Sequence, residues 1–223
     1  MYFLPITTLL TLLLATSPSL STPTPAHPAT ILPRGAGVST QASDIIAAIM
    51  PSSTSCASAA SGPYASDCRT NVQAAEPLIA AMKAYNLTTA GQIAAVLALV
   101  GFESVDMRYK HNVYPGTVGQ GTSAMLMPEN VRAYAGSLPE LAGGLAAAGG
   151  DPGKVLELVV DDKYNFGAAP WWLTSKCGAA VVEGLRGASE DGWKAYMGCV
   201  GVDAGEPKRV EYWARAKKAF GLE

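Results

Sequence analysis

The feature that most constrains the fold is an apolar stretch that ends in a single carboxylate. Residues 93–100 read IAAVLALV, and Glu103 follows shortly after them. A helix that is apolar on all sides has to be buried, so this stretch should run through the middle of a domain with other helices around it. Burial disfavours an ionised carboxylate, so Glu103 should have a raised pKa and stay partly protonated. The sequence therefore indicates a general acid at the end of a central helix.

The first 40 residues are predicted to lie outside that domain. An apolar run at residues 9–14, followed by small residues, predicts a signal peptide at residues 1–21. Residues 22–40 are rich in Pro, Thr and Ala, which predicts an extended linker or pro-segment. The rest, residues 41–223, has the length of one domain. We therefore expect a secreted, extracellular protein with no membrane span in its mature form.

Four cysteines in a chain with a signal peptide predict two disulfides. Three pairings are formally possible. We favour Cys56 with Cys68 and Cys177 with Cys199, because each pair closes a local loop. A glycosylation sequon, Asn86-Leu87-Thr88, fits the surface of a secreted protein.

Charge and motif content exclude several classes of function. The formal net charge is -2 and there is no basic run, so nucleic acid is not an expected partner. The two histidines, His27 and His111, lie far apart and no CxxC pair exists, so we expect no metal. No cofactor motif is present, since the glycines near residue 119 neither follow a strand nor precede Gly-Lys-Ser. Oligomeric state has no sequence signal, and a monomer is the default expectation.

The spacing of apolar residues after residue 40 is helical almost throughout. No segment alternates as a half-buried strand would. Proline, serine and aspartate stand at the starts of several of these stretches, as is usual at helix N-termini. The sequence predicts an all-α single domain of about nine helices around the central apolar helix.

Several segments together resemble a known family. They are FES at residues 102–104, the glycine-rich loop after it, and MLMP at residues 125–128 leading into NVRAYA. The set is similar to the signature of goose-type lysozymes and soluble lytic transglycosylases, and most of the mature chain resembles secreted fungal lysozyme-like proteins. The resemblance implies a lysozyme-like fold and a catalytic glutamate at Glu103. Two departures are a loop about four residues longer and Leu126 where the family carries Gln.

The resemblance and the residue pattern together give a candidate site. Glu103 is the predicted general acid, and Asp106 is the first candidate for a second carboxylate, with Asp161 and Asp162 as further candidates. The predicted substrate-binding residues surround the acid and the glycine loop; they are Ser104, Tyr109, His111, Gly119, Gln120, Tyr164, Asn165 and Trp171. Structural readings remain open: Glu103 could pair with Arg108 or Lys110, Tyr109 and His111 could pack on the surface, and one of the two adjacent tryptophans should belong to the core.

The resemblance implies a secreted glycoside hydrolase, a muramidase that cleaves β-1,4 bonds of peptidoglycan with Glu103 as acid. Chitin or chitosan is the nearest alternative substrate. The alternative from another class is a non-catalytic secreted protein or effector of the same fold that binds a glycan or a host protein. In each of the enzymatic readings the expected partner is a polysaccharide.

Overall fold

The computed structural model describes residues 34–59, 62 and 64–223, with side chains from residue 40 onward. The predicted signal peptide and most of the predicted linker lie outside these residues. The described residues all belong to one compact unit. Residues 34–40, predicted to be extended, instead form the first turns of a helix, Arg34–Ile49. Helical hydrogen bonding is possible over this stretch because residues 34–50 contain no proline.

Within the described residues the chain is all helical, with no strand, which confirms the predicted fold class. It forms eleven α-helices, more than the nine expected, because several are only one or two turns long. Their bounds are α1 Arg34–Ile49, α2 Asn71–Ala84, α3 Ala90–Glu103, α4 Pro128–Gly136, α5 Ala142–Ala147, α6 Pro152–Glu157, α7 Asp162–Asn165, α8 Ala168–Ser175, α9 Ala179–Gly184, α10 Glu190–Val200 and α11 Pro207–Ala219. Four short 3₁₀ turns lie at Pro51–Thr54, Ala57–Ala59, Ala65–Asp67 and Pro139–Leu141.

The central helix is α3, as the apolar pattern predicts. It begins with a capping box, in which Thr89 and Gln92 each satisfy a backbone N–H of the other. Every residue from Ala94 to Gly101 is buried. Helices α11, α8 and α1 pack against it. Gly101 allows the closest of these approaches, because a Cβ there would meet the ring of Tyr212 from α11 at 2.6 Å.

Both predicted disulfides are confirmed. Cys56 and Cys68 have Cα atoms 5.8 Å apart, and Cys177 and Cys199 have Cα atoms 5.7 Å apart, both ordinary separations for a disulfide. The first closes the loop between α1 and α2, and the second joins the end of α8 to α10. Asn86 of the sequon is exposed between α2 and α3, and its glycosylation stays a prediction. Among the described helices, none combines the length and hydropathy that a membrane span requires.

Candidate functional site

The C-terminal end of α3 opens into a cleft that contains Glu103. Three adjoining hollows of about 240, 420 and 470 Å³ make up this cleft. Gln120 lines all three hollows, and Glu103 lines the two smaller ones. The hollows therefore adjoin at Gln120, and two of them adjoin at Glu103 as well.

The two ends of the cleft differ in chemistry. Most of the side chains at the end beyond Glu103 are apolar, among them Leu99, Leu126, Trp172, Val200 and Val202. The opposite end carries amide and charged side chains, among them Asn112, Asp151, Lys154 and Glu157. The cleft is therefore suited to an amphiphilic ligand.

Glu103 is paired with a buried arginine from α11. Arg209 Nη1 donates to Glu103 Oε1 at 2.9 Å, and the guanidinium lies 3.9 Å from the centre of the Phe102 ring. Arg209 is only 5% exposed, and its Nε has no hydrogen-bond partner among the described residues. Of the partners considered from sequence, Arg108 bonds Ser58, and Lys110 pairs with an aspartate instead.

Burial raises the pKa of Glu103, and the hydrogen bond and charge of Arg209 only partly offset this effect. The expectation of a raised pKa is therefore supported by the geometry. One carboxylate oxygen faces Arg209, while Oε2 makes no hydrogen bond to any residue that the structure describes. A carboxyl group with one tethered and one unpaired oxygen, on the floor of a cleft, can hold a proton and release it to a bound ligand.

The segment after Glu103 is a left-handed turn. Val105, Asp106 and Met107 have φ values of 53°, 59° and 61°, a conformation that is unfavourable for residues with a Cβ. Ser104 stabilises the turn, because its hydroxyl donates to Val100 O at 2.6 Å and accepts from Met107 N at 2.8 Å. Ser104 is fully buried, so it shapes the backbone and does not touch the cleft. Its predicted role in substrate binding is corrected accordingly.

Asp106 is the second anchor of this turn. Its carboxylate accepts hydrogen bonds from the backbone N–H of Ser52 at 2.9 Å, from the Ser52 hydroxyl and from the Tyr212 hydroxyl. Asp106 is buried and does not line the cleft. A second carboxylate at this position therefore has no geometric support, because all its contacts are structural.

The loop after the turn brings one predicted residue into an ionic cluster. His111 lies between two carboxylates, with Nδ1 2.8 Å from Asp67 Oδ2 and Nε2 3.0 Å from Glu157 Oε1, and its ring stacks on Tyr64 at 4.3 Å. The hydrogen bond to Asp67 raises the pKa of His111 despite its partial burial. For Asp67, burial would raise the pKa, but the bonds from His111 and the backbone N–H of Lys110 outweigh it and lower the pKa. His111 lines the cleft.

Three other predicted residues also line the cleft. Tyr109 faces the hollow beside Glu103, and Gln120 lies where the hollows join. Gly119 lies in the polar end with a φ of 80°, and a Cβ there would come within 2.5 Å of Pro152. Glycine is required at this position by both the conformation and the close packing.

The remaining predicted residues lie elsewhere. Asn165 is buried, where its side chain accepts from Ser123 N at 2.8 Å and so fixes the glycine-rich loop from below. Tyr164 lines a separate hollow beside α2. Trp171 is 4% exposed and packs against Tyr134, so it belongs to the core and cannot touch a ligand. Its neighbour Trp172 lines the apolar end of the cleft instead.

The two aspartates considered as alternative second carboxylates have structural roles. Asp161 accepts from the backbone N–H of Lys163 and so caps α7. Asp162 accepts from both Arg69 and Lys110 at 2.6 Å. Neither lines the cleft that contains Glu103.

Sequence reasoning missed Arg209, and of the two adjacent tryptophans it chose Trp171 as the ligand-binding residue, whereas Trp172 lines the cleft. An arginine in the first turn of an otherwise ordinary amphipathic helix carries no sign that it is buried. A usable signal did exist for the tryptophans, because adjacent helical residues point about 100° apart, so only one of a pair can face the core. No group of three metal-ligating side chains is found among the described residues.

The chain is similar to a bifunctional dioxygenase–epoxy alcohol synthase from Fusarium oxysporum (strain Fo5176), with 43% identity over 158 residues. The similarity covers 67% of this chain but only 12% of the length of that relative. No protein-family model matches the chain, and no solved structure matches it.

This relative overturns the predicted function. A peptidoglycan-cleaving muramidase, with its chitin and glycan-binding alternatives, conflicts with a relative named as an oxygenase and a synthase. The prediction was wrong because it carried a reaction over from a resemblance in sequence, in which FES at residues 102–104 was the motif that suggested catalysis. That motif describes how a carboxyl is placed at the end of a helix, and it does not specify the substrate. The relative is an enzyme by its name, which agrees with the broader expectation of an enzyme.

Proposed function

We propose that the chain is an acid–base enzyme in which Glu103 donates a proton to an oxygen atom of a substrate bound along the cleft. The observation that carries this proposal is a carboxyl group with a raised pKa that lines two adjoining hollows. Arg209 supports it as well, since its guanidinium can stabilise the carboxylate that remains after the proton has left. Arg209 is thus a positioning residue for the acid.

The substrate class that fits best is a long-chain epoxide. The name of the relative includes the synthesis of an epoxy alcohol. Such a molecule can carry an aliphatic chain, which suits the apolar wall of Leu99, Leu126 and Trp172, and a hydroxyl group, which suits the amide of Gln120. The strained oxirane oxygen between them is a proton acceptor that would lie near Glu103.

In the proposed reaction the neutral carboxyl of Glu103 donates its proton to the oxirane oxygen as one carbon–oxygen bond of the ring breaks. The oxygen of a water molecule bonds to the carbon, and a proton of that water returns to Glu103 through solvent or directly. The products are a vicinal diol and the regenerated acid, so that epoxide plus water gives diol. General acid catalysis of this kind contributes roughly 10²–10⁴-fold in rate.

Incubation of the full chain with a long-chain epoxy alcohol in ¹⁸O-labelled water, followed by mass spectrometry, tests the proposal. We expect a diol that carries one labelled oxygen, formed with a rate that falls as pH rises through the raised pKa of Glu103, because the protonated form is the active one. Glu103→Gln should lower the rate by about 10²-fold or more. Glu76→Gln, an exposed carboxylate on α2, is the matched control and should leave the rate unchanged.

Two outcomes would overturn this proposal. Equal diol formation by the wild type and Glu103→Gln, with both folded, would remove Glu103 from the reaction. Absence of diol together with cleavage of an aminosugar oligosaccharide would show that the substrate class is wrong. Because Glu103→Gln leaves Arg209 without a counterion, Glu103→Asp serves as a second variant that keeps the charge and shortens the reach of the acid.

We also propose that the chain has the fold of goose-type lysozymes, without their reaction. What supports it is a buried helix that ends in a glutamate, followed by a glycine-rich loop whose backbone returns to the cleft. Secretion is likewise proposed, and the two disulfides support it because such bonds persist in oxidising compartments.

A further inference from the structure

A second hollow, separate from the cleft, lies beside the N-terminal half of α3. We call it the apolar groove; its walls come from α1, α2, α3 and the end of α11 and include Ile45, Leu78, Met82, Ile93, Leu97 and Phe220. Its volume is about 410 Å³, within the range of small-molecule sites. The surface inside it is almost entirely carbon. Nothing in the proposed reaction at Glu103 uses it.

The polar side chains of the groove lie at its rim. They are Gln41, Lys83 and Thr88, and all three are exposed. The ammonium of Lys83 makes no ion pair with any residue that the structure describes. The groove thus combines a carbon-lined interior with one unpaired positive charge at its mouth.

We propose that the apolar groove binds a single-chain aliphatic carboxylate, with the hydrocarbon chain between α1, α2 and α3 and the carboxylate beside Lys83. Each methylene group transferred from water to the groove should strengthen binding about fourfold, so the hydrocarbon chain supplies most of the affinity. The charge at the rim fixes the direction of the ligand, because a carboxylate buried at the other end would lose its hydration without a partner. The interior of the groove is lined by apolar side chains, with no acid or base placed to react with the hydrocarbon chain. The proposed role of the site is therefore binding alone.

Displacement of a fluorescent dansyl-labelled undecanoic acid from the full chain by dodecanoate measures this binding. We expect saturable binding with one site per chain. Dodecanoate should displace the probe at a lower concentration than 1-dodecanol does. Lys83→Gln should weaken the binding of dodecanoate roughly threefold to fivefold, as expected for loss of an exposed ion pair, and leave the binding of 1-dodecanol unchanged. Lys194→Gln, an exposed lysine on α10, is the matched control and should change neither.

Blocking the groove gives the second test. Ile79→Trp and Ala42→Phe enlarge half-buried wall residues on two different helices, and each should reduce probe binding at least tenfold while thermal unfolding shows a folded chain. The proposal is overturned if the full chain binds no probe, if folded blocking variants bind it as the wild type does, or if Lys83→Gln affects the alcohol and the acid alike. Glu103→Gln should bind the probe normally, which separates this site from the proposed reaction.

Discussion

The two ends of α3 lie in hollows of opposite character. At the C-terminal end, the Glu103 carboxylate pairs with the buried guanidinium of Arg209, and the buried Asp106 carboxylate accepts hydrogen bonds from Ser52 and Tyr212. At the N-terminal end, Ile93 and Leu97 face a groove of carbon atoms with a lone charge at its rim. Buried polar groups need specific partners, whereas apolar surface needs only contact. Single substitutions at the C-terminal end of α3 should therefore lower the free energy of unfolding more than substitutions at the N-terminal end.

The largest effect should come from separating Glu103 from Arg209. Glu103→Gln leaves a guanidinium buried without a counterion, and we expect a loss of about 3–5 kcal/mol in the free energy of unfolding. Urea unfolding at neutral pH measures it. The double variant Glu103→Gln with Arg209→Met should lose clearly less than the two single variants summed, because it leaves no unpaired charge. Additive losses would mean that the pair is not coupled.

The same pair gives a pH dependence. Because the pKa of Glu103 is higher in the folded chain than its ordinary value of 4.5, the folded state holds its proton over a range in which the unfolded state has lost it. The part of Glu103's contribution that depends on this titration is thus fully present below about pH 4.5 and is lost as pH rises through the raised pKa, and the loss that Glu103→Gln causes at neutral pH is the part that remains, from the ion pair with Arg209. The difference in unfolding free energy between wild type and Glu103→Gln, followed against pH, should show this fall.

The next effect in size should come from the anchor of the left-handed turn. Asp106→Ala leaves the backbone N–H of Ser52 and the hydroxyl of Tyr212 without their acceptor, and we expect a loss of about 3 kcal/mol. Asp106→Asn keeps one acceptor oxygen and should lose less. If Asp106 instead acted in the reaction, both variants would lose activity while unfolding at the same urea concentration as the wild type.

At the other end of α3, Leu97→Ala should cost about 2 kcal/mol, the low end of the range for leucine truncation in a core. The reason is that part of the side chain already faces the apolar groove, so fewer packed contacts are lost than at a fully enclosed site. Urea unfolding gives the value. A loss of about 5 kcal/mol would show that the groove wall is packed as tightly as the interior, and the contrast between the two ends would disappear.

Sequence patterns predicted the features of α3 and the disulfides that depend on residues close together in the chain. The apolar run identified α3 as central and placed Glu103 at its end, and loop length alone selected the correct disulfide pairs. The partner of Glu103 could not be found this way, since Arg209 lies 106 residues further along the chain. Asp106 was assigned to catalysis on helical spacing, but the helix ends before it and its carboxylate turns away from the cleft.

The left-handed turn could not be predicted from sequence. Val105, Asp106 and Met107 are not glycines, so nothing in their residue types indicates positive φ values. Tertiary contacts hold the turn against its local preference. Side chains of Ser104 and Asp106, together with the bond from Arg69 N to Met107 O at 3.0 Å, are the contacts responsible. Sequence reasoning fails where such long-range contacts override local conformation, and here this occurs directly beside the candidate acid.

The smallest effect should come from relieving that turn. Val105 has a branched side chain at a φ of 53° and is 48% exposed, so Val105→Gly removes an unfavourable conformation and little packing. We expect a gain of about 0.5–1 kcal/mol in the free energy of unfolding, measured in urea. The matched control is Val113→Gly, also 48% exposed but outside the positive-φ region, which should be neutral or destabilising. If Val105→Gly destabilises the chain as much as Val113→Gly does, the turn is not under strain, and the sharp response at this end of α3 comes from its buried charges alone.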